Sequence, residues 1–245
     1  MDQLQSSPSQ LLAEGCSLDQ SQTSSPLKIV MLSDLHLGHT IGRKELKAWK
    51  ELINAEDADY IFVSGDVIDN DVRPLYVENI QEVLSEFKAK KGVYAVLGNH
   101  EYIAGVDKSI EFLNKTNWHL LRDEVVLLPE NIYLLGRDDK MNGHRAKLSE
   151  LMVGLDPDIP MIVLDHQPIN FGEMSKLGQF LQFSGHTHDG QVWPYNYMAK
   201  NINGVSSGLW DFNQSQLLIS AGIGIWGGKF RIGTRSDYRV LNICQ

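Results

Sequence analysis

Carboxylate, imidazole and amide side chains follow five apolar stretches of the chain, at the point where each stretch ends. The clusters read SDLHLG, GDVID, GNHE, DHQP and GHTH. Their chemically active side chains are Asp34, His36, Asp66, Asn99, His100, His166, His186 and His188. Such side chains, without a thiolate, suit a hard or borderline divalent ion such as Mn, Fe, Zn or Mg. The five clusters together therefore predict a metal centre.

The spacing inside two of the clusters favours one shared site. In an extended Asp-x-His or His-x-His pair, both side chains lie on the same side of the backbone because the strand period is two. In three of the clusters a glycine stands just before the polar residues, at Gly65, Gly98 and Gly185. These glycines predict tight turns where the backbone approaches closely. One such cluster alone is typical of a polar surface turn, so the prediction depends on the co-occurrence of all five.

Buried strands and amphipathic helices alternate before these clusters and would position them. Residues 27–34, 59–66 and 92–100 have the apolar runs of strands, and residues 42–57, 74–90 and 107–116 have the periodicity of helices. The second half is richer in strands, which predicts a second sheet stacked on the first. We expect an α/β fold of two stacked mixed β-sheets flanked by helices, with ligands bound at the carboxyl ends of the strands.

The composition of the chain predicts its domain organisation and argues against one class of partner. Residues 1–27 are rich in Ser and Gln and predict a flexible lead-in, and residues 28–245 predict one domain. The formal net charge of −9 argues against nucleic acid as a partner. The chain as given shows no transmembrane run or signal peptide, and Cys16 and Cys244 are expected to be unpaired thiols.

The ordered series of clusters resembles the signature of the calcineurin-like metallophosphoesterase superfamily, over residues 28 to about 243. GHTHDGQVWP and WGGKFRIGTRSD more narrowly resemble its bacterial YkuE/YaeI-like branch. The resemblance implies an αββα sandwich and two divalent ions, with Mn favoured over Fe or Zn. One ion would be bound by Asp34, His36, Asp66 and His188, and the second by Asp66, Asn99, His166 and His186. His100 would not be a ligand but would face the leaving group.

The resemblance also implies a reaction. The chain would hydrolyse a phosphodiester or pyrophosphate bond by in-line attack of a metal-bridging hydroxide, with His100 as general acid. The substrate would be lipid-linked or a nucleotide, such as UDP-2,3-diacylglucosamine, and the chain would be cytoplasmic or peripheral to a bacterial membrane. A phosphomonoesterase or protein phosphatase on the same site and a non-catalytic metal-binding scaffold are the alternatives.

Candidate substrate contacts lie near the clusters in the sequence. Arg43 follows the first cluster and is suited to bind a phosphate, and a solvated residue at the start of a helix is the alternative. Trp193 and Tyr195 follow the last cluster, together with Tyr197 and Met198, and are suited to line a cleft. Trp210, Phe212 and Trp226 would extend that surface. Core packing between the sheets is the alternative for all of these aromatic residues.

Overall fold

A computed structural model describes residues 7–8, 26–195 and 205–244 of the chain. Its strands are β1 (Ser7–Pro8), β2 (Leu27–Leu32), β3 (Tyr60–Ser64), β4 (Gly92–Val96), β5 (His119–Leu120), β6 (Glu124–Leu128), β7 (Ile132–Gly136), β8 (Met161–Leu164), β9 (Leu181–Ser184), β10 (Gly208–Phe212), β11 (Ser215–Ile219) and β12 (Arg239–Ile243). Its α-helices are α1 (Arg43–Asn54), α2 (Arg73–Val77), α3 (Ile80–Leu84), α4 (Asn99–Ile103), α5 (Val106–Leu113), α6 (Leu148–Leu151) and α7 (Phe171–Met174).

The strands form two six-stranded mixed sheets. The first sheet has the order β1-β12-β2-β3-β4-β5, and the second has the order β10-β11-β9-β8-β7-β6. Strands β2, β3, β4 and β5 pair in parallel, and so do β7, β8, β9 and β11. The carboxyl ends of the central strands in each sheet therefore point to the same edge. The predicted fold class is confirmed.

Side chains alternate between the two faces of each strand and so build separate apolar layers. Between the sheets, Ile29 and Phe62 pack with Leu164, Phe183 and Leu218 from the second sheet. On the outer face of the first sheet, the intervening residues pack against α1, α3 and α5. On the outer face of the second sheet, they pack against α6 and α7. Full burial of one such side chain contributes about 1.5–3 kcal/mol, so this layering fixes the relative position of the strand ends.

Residues 74–90 do not form the single helix that their periodicity predicts. Helix α2 ends at Val77, and α3 begins at Ile80. The break lies at Asn79, whose φ of 50° is left-handed. Asparagine tolerates this conformation better than most residues, and Arg43 donates hydrogen bonds to the carbonyls of Glu78 and Asn79 that the break leaves free.

The third cluster also differs from the prediction of a continuous strand. Strand β4 ends at Val96, and Asn99 begins helix α4, so His100 and Glu101 lie in its first turn.

The expectation of unpaired thiols was wrong, because Cys244 is disulfide-bonded. The other cysteine, Cys16, lies outside the described residues. Among the residues that the structure describes, none of the helices is long and apolar enough to cross a membrane.

Candidate metal centre

Asp34, His36 and His188 form the first group of potential ligands. The Nε2 atoms of His36 and His188 lie 2.9 Å apart. Oδ1 of Asp34 lies 3.4 Å from Nε2 of His188 and 3.9 Å from Nε2 of His36. All three side chains are buried. Three ligand atoms therefore converge from the turn after β2 and the turn after β9.

Asp66, His166 and His186 form the second group, and Asn99 lies among them. Nε2 of His166 lies 3.1 Å from Oδ2 of Asp66 and 3.1 Å from Oδ1 of Asn99. Nδ1 of His186 lies 2.9 Å from the same Asn99 oxygen. The carbonyl of Ser64 accepts a hydrogen bond from Nδ1 of His166 at 2.8 Å, which leaves Nε2 directed at the group.

Asp66 lies between the two groups. Its Oδ2 atom is 3.1 Å from Nε2 of His166 in the second group and 3.7 Å from Nε2 of His36 in the first. Its Oδ1 atom accepts a hydrogen bond from the backbone N–H of His100 at 2.9 Å. One carboxylate thus contacts both groups while α4 holds it in place.

The backbone at these positions is not extended, contrary to the reasoning from strand periodicity. Asp34, His36, Asp66, His186 and His188 have φ values of 55°, 47°, 52°, 69° and 49°. All are left-handed, which is uncommon for residues other than glycine. These five side chains converge because β2, β3 and β9 each end in a tight left-handed turn. Such conformations cost about 1–3 kcal/mol each and cluster at functional sites.

Close backbone approach explains two of the predicted glycines. A Cβ atom at Gly185 would lie 2.2 Å from Oδ2 of Asp34, and one at Gly98 would lie 2.2 Å from Oδ1 of Asp66. Neither contact leaves space for a side chain. The two glycines therefore allow neighbouring turns to lie directly against the carboxylates.

Glu101 supports the turn that carries Asp66. Its Oε2 atom accepts hydrogen bonds from the backbone N–H of Gly98 at 2.7 Å and of Asp66 at 3.1 Å. Its Oε1 atom accepts one from the N–H of Ile68 at 2.9 Å. Burial, with a contribution from Asp66, raises the pKa of Glu101 to about 7. Glu101 thus joins the start of α4 to the turn after β3.

Asp69 lies behind both His36 and His100, and the sequence analysis did not single it out. Its Oδ1 atom is 3.4 Å from Nδ1 of His36 and 3.5 Å from Nδ1 of His100. Its carbonyl also lies 2.7 Å from Nδ1 of His100. The rings of His36 and His100 pack edge to face with centroids 4.5 Å apart. The available signal was the second carboxylate of GDVID, three residues after Asp66.

Burial and neighbouring charges shift the two central carboxylates in opposite directions. Burial raises the pKa of Asp34 above its ordinary value, although His166 opposes the rise. Burial also disfavours the ionised form of Asp66, but His166 and His36 outweigh it and hold the pKa of this carboxyl well below its ordinary value. The ionised form is therefore favoured at Asp66 and disfavoured at Asp34.

The pKa values of the buried histidines also shift in opposite directions. Burial would lower the pKa of His166, but Asp66 raises it well above the ordinary value. Burial and repulsion from His166 lower the pKa of His186 to about 3, and burial followed by His36 lowers that of His188 well below its ordinary value. Two neutral imidazoles thus lie beside one positively charged imidazole.

The donor set fits two divalent ions. Asp34 and Asp66 are buried at 0% and 2% exposure, and Asp34 accepts its hydrogen bonds from the backbone N–H of His186. A cation would stabilise the ionised form of both carboxylates and would accept the imidazole lone pairs that now face one another. The oxygen and nitrogen ligands suit Mn, Fe, Zn or Mg. The residues present are therefore compatible with a dinuclear centre.

Arg231 is a further residue of the site that the sequence analysis missed. Its guanidinium donates to the carbonyl of His188 at 2.9 Å and to those of Ala221 and Gly224 at 2.6 and 2.9 Å. Burial lowers its pKa, although Asp34 opposes this shift. Nothing in the spacing of WGGKFRIGTRSD distinguished this arginine from a solvated one.

The structure does not bring Arg43 to the histidine groups. Its guanidinium donates to the carbonyl of Glu78 at 2.6 Å and to Oε2 of Glu82 at 3.0 Å. These contacts join the start of α1 to the α2–α3 segment. Arg43 therefore has a structural role, and its contact with a phosphate stays a prediction.

The aromatic residues after the last cluster divide into two sets. Trp193 and Tyr195 are each 59% exposed, and Trp226 is 55% exposed. Trp210 and Phe212 instead pack against the outer core of the second sheet. Core packing thus explains Trp210 and Phe212 but not the exposed set. Tyr197 and Met198 lie outside the described residues.

Comparison with known proteins identifies the family. The family model for calcineurin-like phosphoesterases matches residues 27–190, which include both groups of ligands. The chain therefore belongs to the calcineurin-like phosphoesterase family, a class of dinuclear metal-dependent phosphoester hydrolases.

Curated proteins with metallophosphoesterase names align with this chain over more residues than the family model does. The chain is 33% identical over 224 residues to an uncharacterised metallophosphoesterase of Campylobacter jejuni, which covers 89% of this chain and 59% of that protein. It is 31% identical over 234 residues to a bovine transmembrane protein with a metallophosphoesterase domain, which covers 88% of this chain and 52% of that protein. The chain thus spans little more than half the length of these relatives.

Solved structures share the fold at low identity. A dimetal phosphatase from zebrafish aligns with a TM-score of 0.52 and 13% identity, over 81% of this chain and 88% of that one. A 5′-nucleotidase precursor from Thermus thermophilus aligns with a TM-score of 0.51 and 14% identity, over 89% and 54%. At this level of identity the likeness concerns the fold alone.

Proposed function

We propose that this chain is a dinuclear metal-dependent phosphoesterase that hydrolyses a phosphodiester or pyrophosphate bond. The observation that carries the proposal is the position of Asp66, whose Oδ2 atom lies 3.1 Å from His166 in one group and 3.7 Å from His36 in the other. A carboxylate in this position is suited to bridge two ions. The remaining ligands would be Asp34 and His188 in the first group, and Asn99 and His186 in the second.

The bound ions, with Mn favoured, would polarise a phosphoryl oxygen and lower the pKa of a water molecule for in-line attack. The protein residues would orient the ions and hold the protons. Oδ1 of Asp69 lies 3.4 Å from Nδ1 of His36, on the side of the ring that faces away from His188, and the carbonyl of Ser64 accepts a hydrogen bond from Nδ1 of His166. In each ring this contact fixes the tautomer and keeps Nε2 available as a ligand.

His100 is the proposed general acid. Its Nδ1 atom lies 2.7 Å from the carbonyl of Asp69 and is best satisfied as a donor, so Nε2 would carry the proton for the departing alkoxide. Burial disfavours the charged ring, but Asp69 and Asp66 outweigh it and raise the pKa of His100. A raised pKa keeps the ring protonated closer to neutral pH. A positioned acid of this kind contributes about 10²–10⁴-fold to the rate.

An exposed apolar surface beside the centre supports a lipid-linked substrate. We name it the aromatic rim and define it as Trp193, Tyr195, Trp226, Phe230 and Ile232, each more than half exposed. The N–H of Trp193 donates to the carbonyl of Ile232 at 2.7 Å, which joins its two segments. Contiguous exposed apolar residues of this kind mark ligand or membrane contacts.

The rim adjoins a groove of about 1180 Å³ between α1 and residues 223–236. Trp49, Ile225 and Phe230 supply apolar lining, and Lys44 and Arg235 supply positive charge. We propose that the apolar part of a lipid-linked phosphoester lies on this surface. UDP-2,3-diacylglucosamine is the candidate that the YkuE/YaeI-like resemblance suggests.

A lipid-linked substrate would bring the chain to a membrane surface, so the proposal includes peripheral membrane contact. The name of the bovine relative, which places its metallophosphoesterase domain in a transmembrane protein, supports this part of the proposal.

The test of the reaction compares two chromogenic substrates. Metal-stripped protein is reconstituted with Mn²⁺, and rates are measured on bis-p-nitrophenyl phosphate and on p-nitrophenyl phosphate. We expect the diester to be the better substrate by kcat/KM. Preference for the monoester would replace the proposal with a phosphomonoesterase. Two bound ions without turnover of either compound would favour the metal-binding scaffold.

The substrate surface has its own test. Trp226→Ala should leave kcat/KM on bis-p-nitrophenyl phosphate within about twofold and raise KM for UDP-2,3-diacylglucosamine in detergent micelles about tenfold or more, the effect of losing one large apolar contact. Leu127→Ala is the matched control, because Leu127 is 54% exposed on the second sheet and outside the rim. Equal KM values for the two variants would count against the rim as the binding surface.

A further inference from the structure

Arg231 connects two loops that meet at the first group of ligands. Its Nη1 atom donates to the carbonyl of His188 at 2.9 Å. Its Nη2 atom donates to the carbonyls of Ala221 and Gly224 at 2.6 and 2.9 Å and lies 3.4 Å from Nδ1 of His188. One planar guanidinium therefore joins the turn of His188 to residues 221–224.

Residues 221–224 in turn lie against Asp34. The N–H of Gly224 donates to the carbonyl of Asp34 at 2.9 Å, and the N–H of Ile223 donates to that of Ser33 at 3.1 Å. A Cβ atom at Gly222 would lie 2.7 Å from Cβ of Asp34. Arg231 thus fixes the position of His188 relative to Asp34, the two first-group ligands that come from different sheets.

We propose that Arg231 is a positioning residue for the ion held by Asp34, His36 and His188. It acts by holding the backbone of His188 in its left-handed conformation, with φ at 49°, rather than by contacting substrate. Such a conformation persists only when surrounding contacts stabilise it. A guanidinium suits this role because its rigid fork presents donors to several carbonyls at once, whereas a lysine presents three donors from a single nitrogen. The inference rests on the proposed metal centre.

The effect should be confined to one ion. Within the described part of the chain, the hydrogen bonds of Arg231 go to residues 188, 221, 222, 224 and 234. None of these residues belongs to the group of Asn99, His166 and His186. Loss of Arg231 should therefore weaken the first ion and leave the second nearly unchanged.

The experiment is a titration of metal-stripped protein with Mn²⁺, followed by calorimetry and by electron paramagnetic resonance. Wild type should bind two ions and show the spin-coupled signal of a Mn pair. Arg231→Met should bind one ion with wild-type affinity and the other about 10–100-fold more weakly, the usual effect of removing support from a ligand. Arg231→Lys should recover part of the lost affinity. Arg122→Met is the control, because Arg122 pairs with Asp138, which belongs to neither group.

Combining Arg231→Met with a variant of one ligand in each group shows which ion is weakened. In His186→Asn, which removes a second-group ligand, adding Arg231→Met should weaken the remaining tight ion. In His188→Asn, it should have little further effect, because the ion that Arg231 supports is already impaired. Equal weakening of both ions by Arg231→Met, or none, would overturn the role of Arg231 and show a purely structural arginine. Failure of wild type to bind two ions would instead refute the proposed function.

Discussion

Nδ1 of His36 lies 3.4 Å from Oδ1 of Asp69, on the side of the ring opposite the nitrogen that faces His188. Both atoms are buried, and among the described residues neither has a hydrogen-bond partner of standard geometry. A proton on Nδ1 is therefore best placed against this carboxylate, and the Nε2 lone pair is left for an ion. A carboxylate behind a ligating imidazole in this way fixes the tautomer and raises the basicity of the ligand.

Asp69→Asn should therefore weaken Mn²⁺ binding at the first group by about 10–100-fold while keeping the size and shape of the side chain. Calorimetric titration of the metal-stripped variant measures the effect. Asp71→Asn is the control, because Asp71 pairs with Arg73 at the surface. Unchanged affinity in Asp69→Asn would show that the His36 ring is oriented without this carboxylate.

Asp66→Asn should impair both ions together, because Asp66 contacts both groups. The variant loses a negative charge and an acceptor oxygen at the point that the groups share. We expect bound Mn, measured by elemental analysis after gel filtration, to fall below one ion per chain. We expect kcat on bis-p-nitrophenyl phosphate to fall by about 10³-fold or more, which corresponds to about 4 kcal/mol of lost transition-state stabilisation. Retention of one tightly bound ion would contradict the bridging position.

His100→Asn should keep both ions and lower kcat by about 10²–10⁴-fold. Because the pKa of His100 is raised, the wild-type ring loses its proton only above the ordinary value of 6.5, and the rate should then fall as the pH increases. The variant should lack this alkaline decline. The measurements are the pH profile of kcat and the metal content. Loss of an ion in His100→Asn would instead make His100 a ligand.

Glu101→Ala should destabilise the metal-stripped protein, because it leaves the buried N–H groups of Asp66, Gly98 and Ile68 without their acceptor. Each unsatisfied buried donor costs about 1–3 kcal/mol. A loss of about 3 kcal/mol in a domain of this size lowers Tm by about 6–12 °C. Thermal unfolding followed by circular dichroism measures the change. Glu111→Ala, on the exposed face of α5, is the control and should shift Tm little.

In the metal-stripped protein, His186 and Glu101 should respond to acid in opposite directions. Glu101 has an ordinary pKa of 4.5 unfolded and about 7 folded, so its contribution to stability increases as the pH falls from 7 toward 4.5. His186 has an ordinary pKa of 6.5 unfolded and about 3 folded, so its unfolded form binds the proton more readily. The stability that neutral His186 contributes is therefore present above pH 6.5 and is lost as the pH falls toward 3. At pH 5 the expected loss is about 2 kcal/mol. The raised histidines His100 and His166 are already protonated below pH 6.5 and do not offset it.

Tm measured from pH 7 to pH 4 tests this expectation. His186→Asn should show a shallower decline than wild type, because it removes one of the imidazoles that must become charged. Parallel curves for the two proteins would show that His186 is not responsible. Saturating Mn²⁺ should raise Tm at pH 7 and steepen the decline, since protons compete with the ion for the ligands as the pH falls.

The fold and the convergence of the clusters could be predicted because both follow from simple patterns. Apolar runs identify buried strands, and parallel strands place their carboxyl ends at one edge, so Asp34 and Asp66 were expected together without any knowledge of the turns. The local backbone could not be predicted. Periodicity treats Asp-x-His as extended, whereas contacts across the chain, such as that of Gly185 with Asp34, hold it in a left-handed turn.

The supporting residues were harder to predict than the ligands for a related reason. Asp69 and Arg231 act through hydrogen bonds to rings and carbonyls that are distant in the chain, and Arg231 lies 43 residues from His188. Arg43 shows a related effect, because it follows the first cluster in sequence but its guanidinium hydrogen-bonds to Glu78, Asn79 and Glu82. Residue type identifies a potential donor, but only the fold shows which carbonyls it reaches.

The left-handed turns have a consequence for how this site can change by mutation. At Asp34, Asp66, His186 and His188, the residue must supply a ligand atom and must also tolerate a backbone that disfavours most side chains. Asparagine, aspartate and histidine are the non-glycine residues enriched in this conformation, and they also carry ligand atoms. Very few residue types are therefore compatible with these positions. Replacement by alanine would combine backbone strain with ligand loss, whereas replacement by asparagine would separate the two effects.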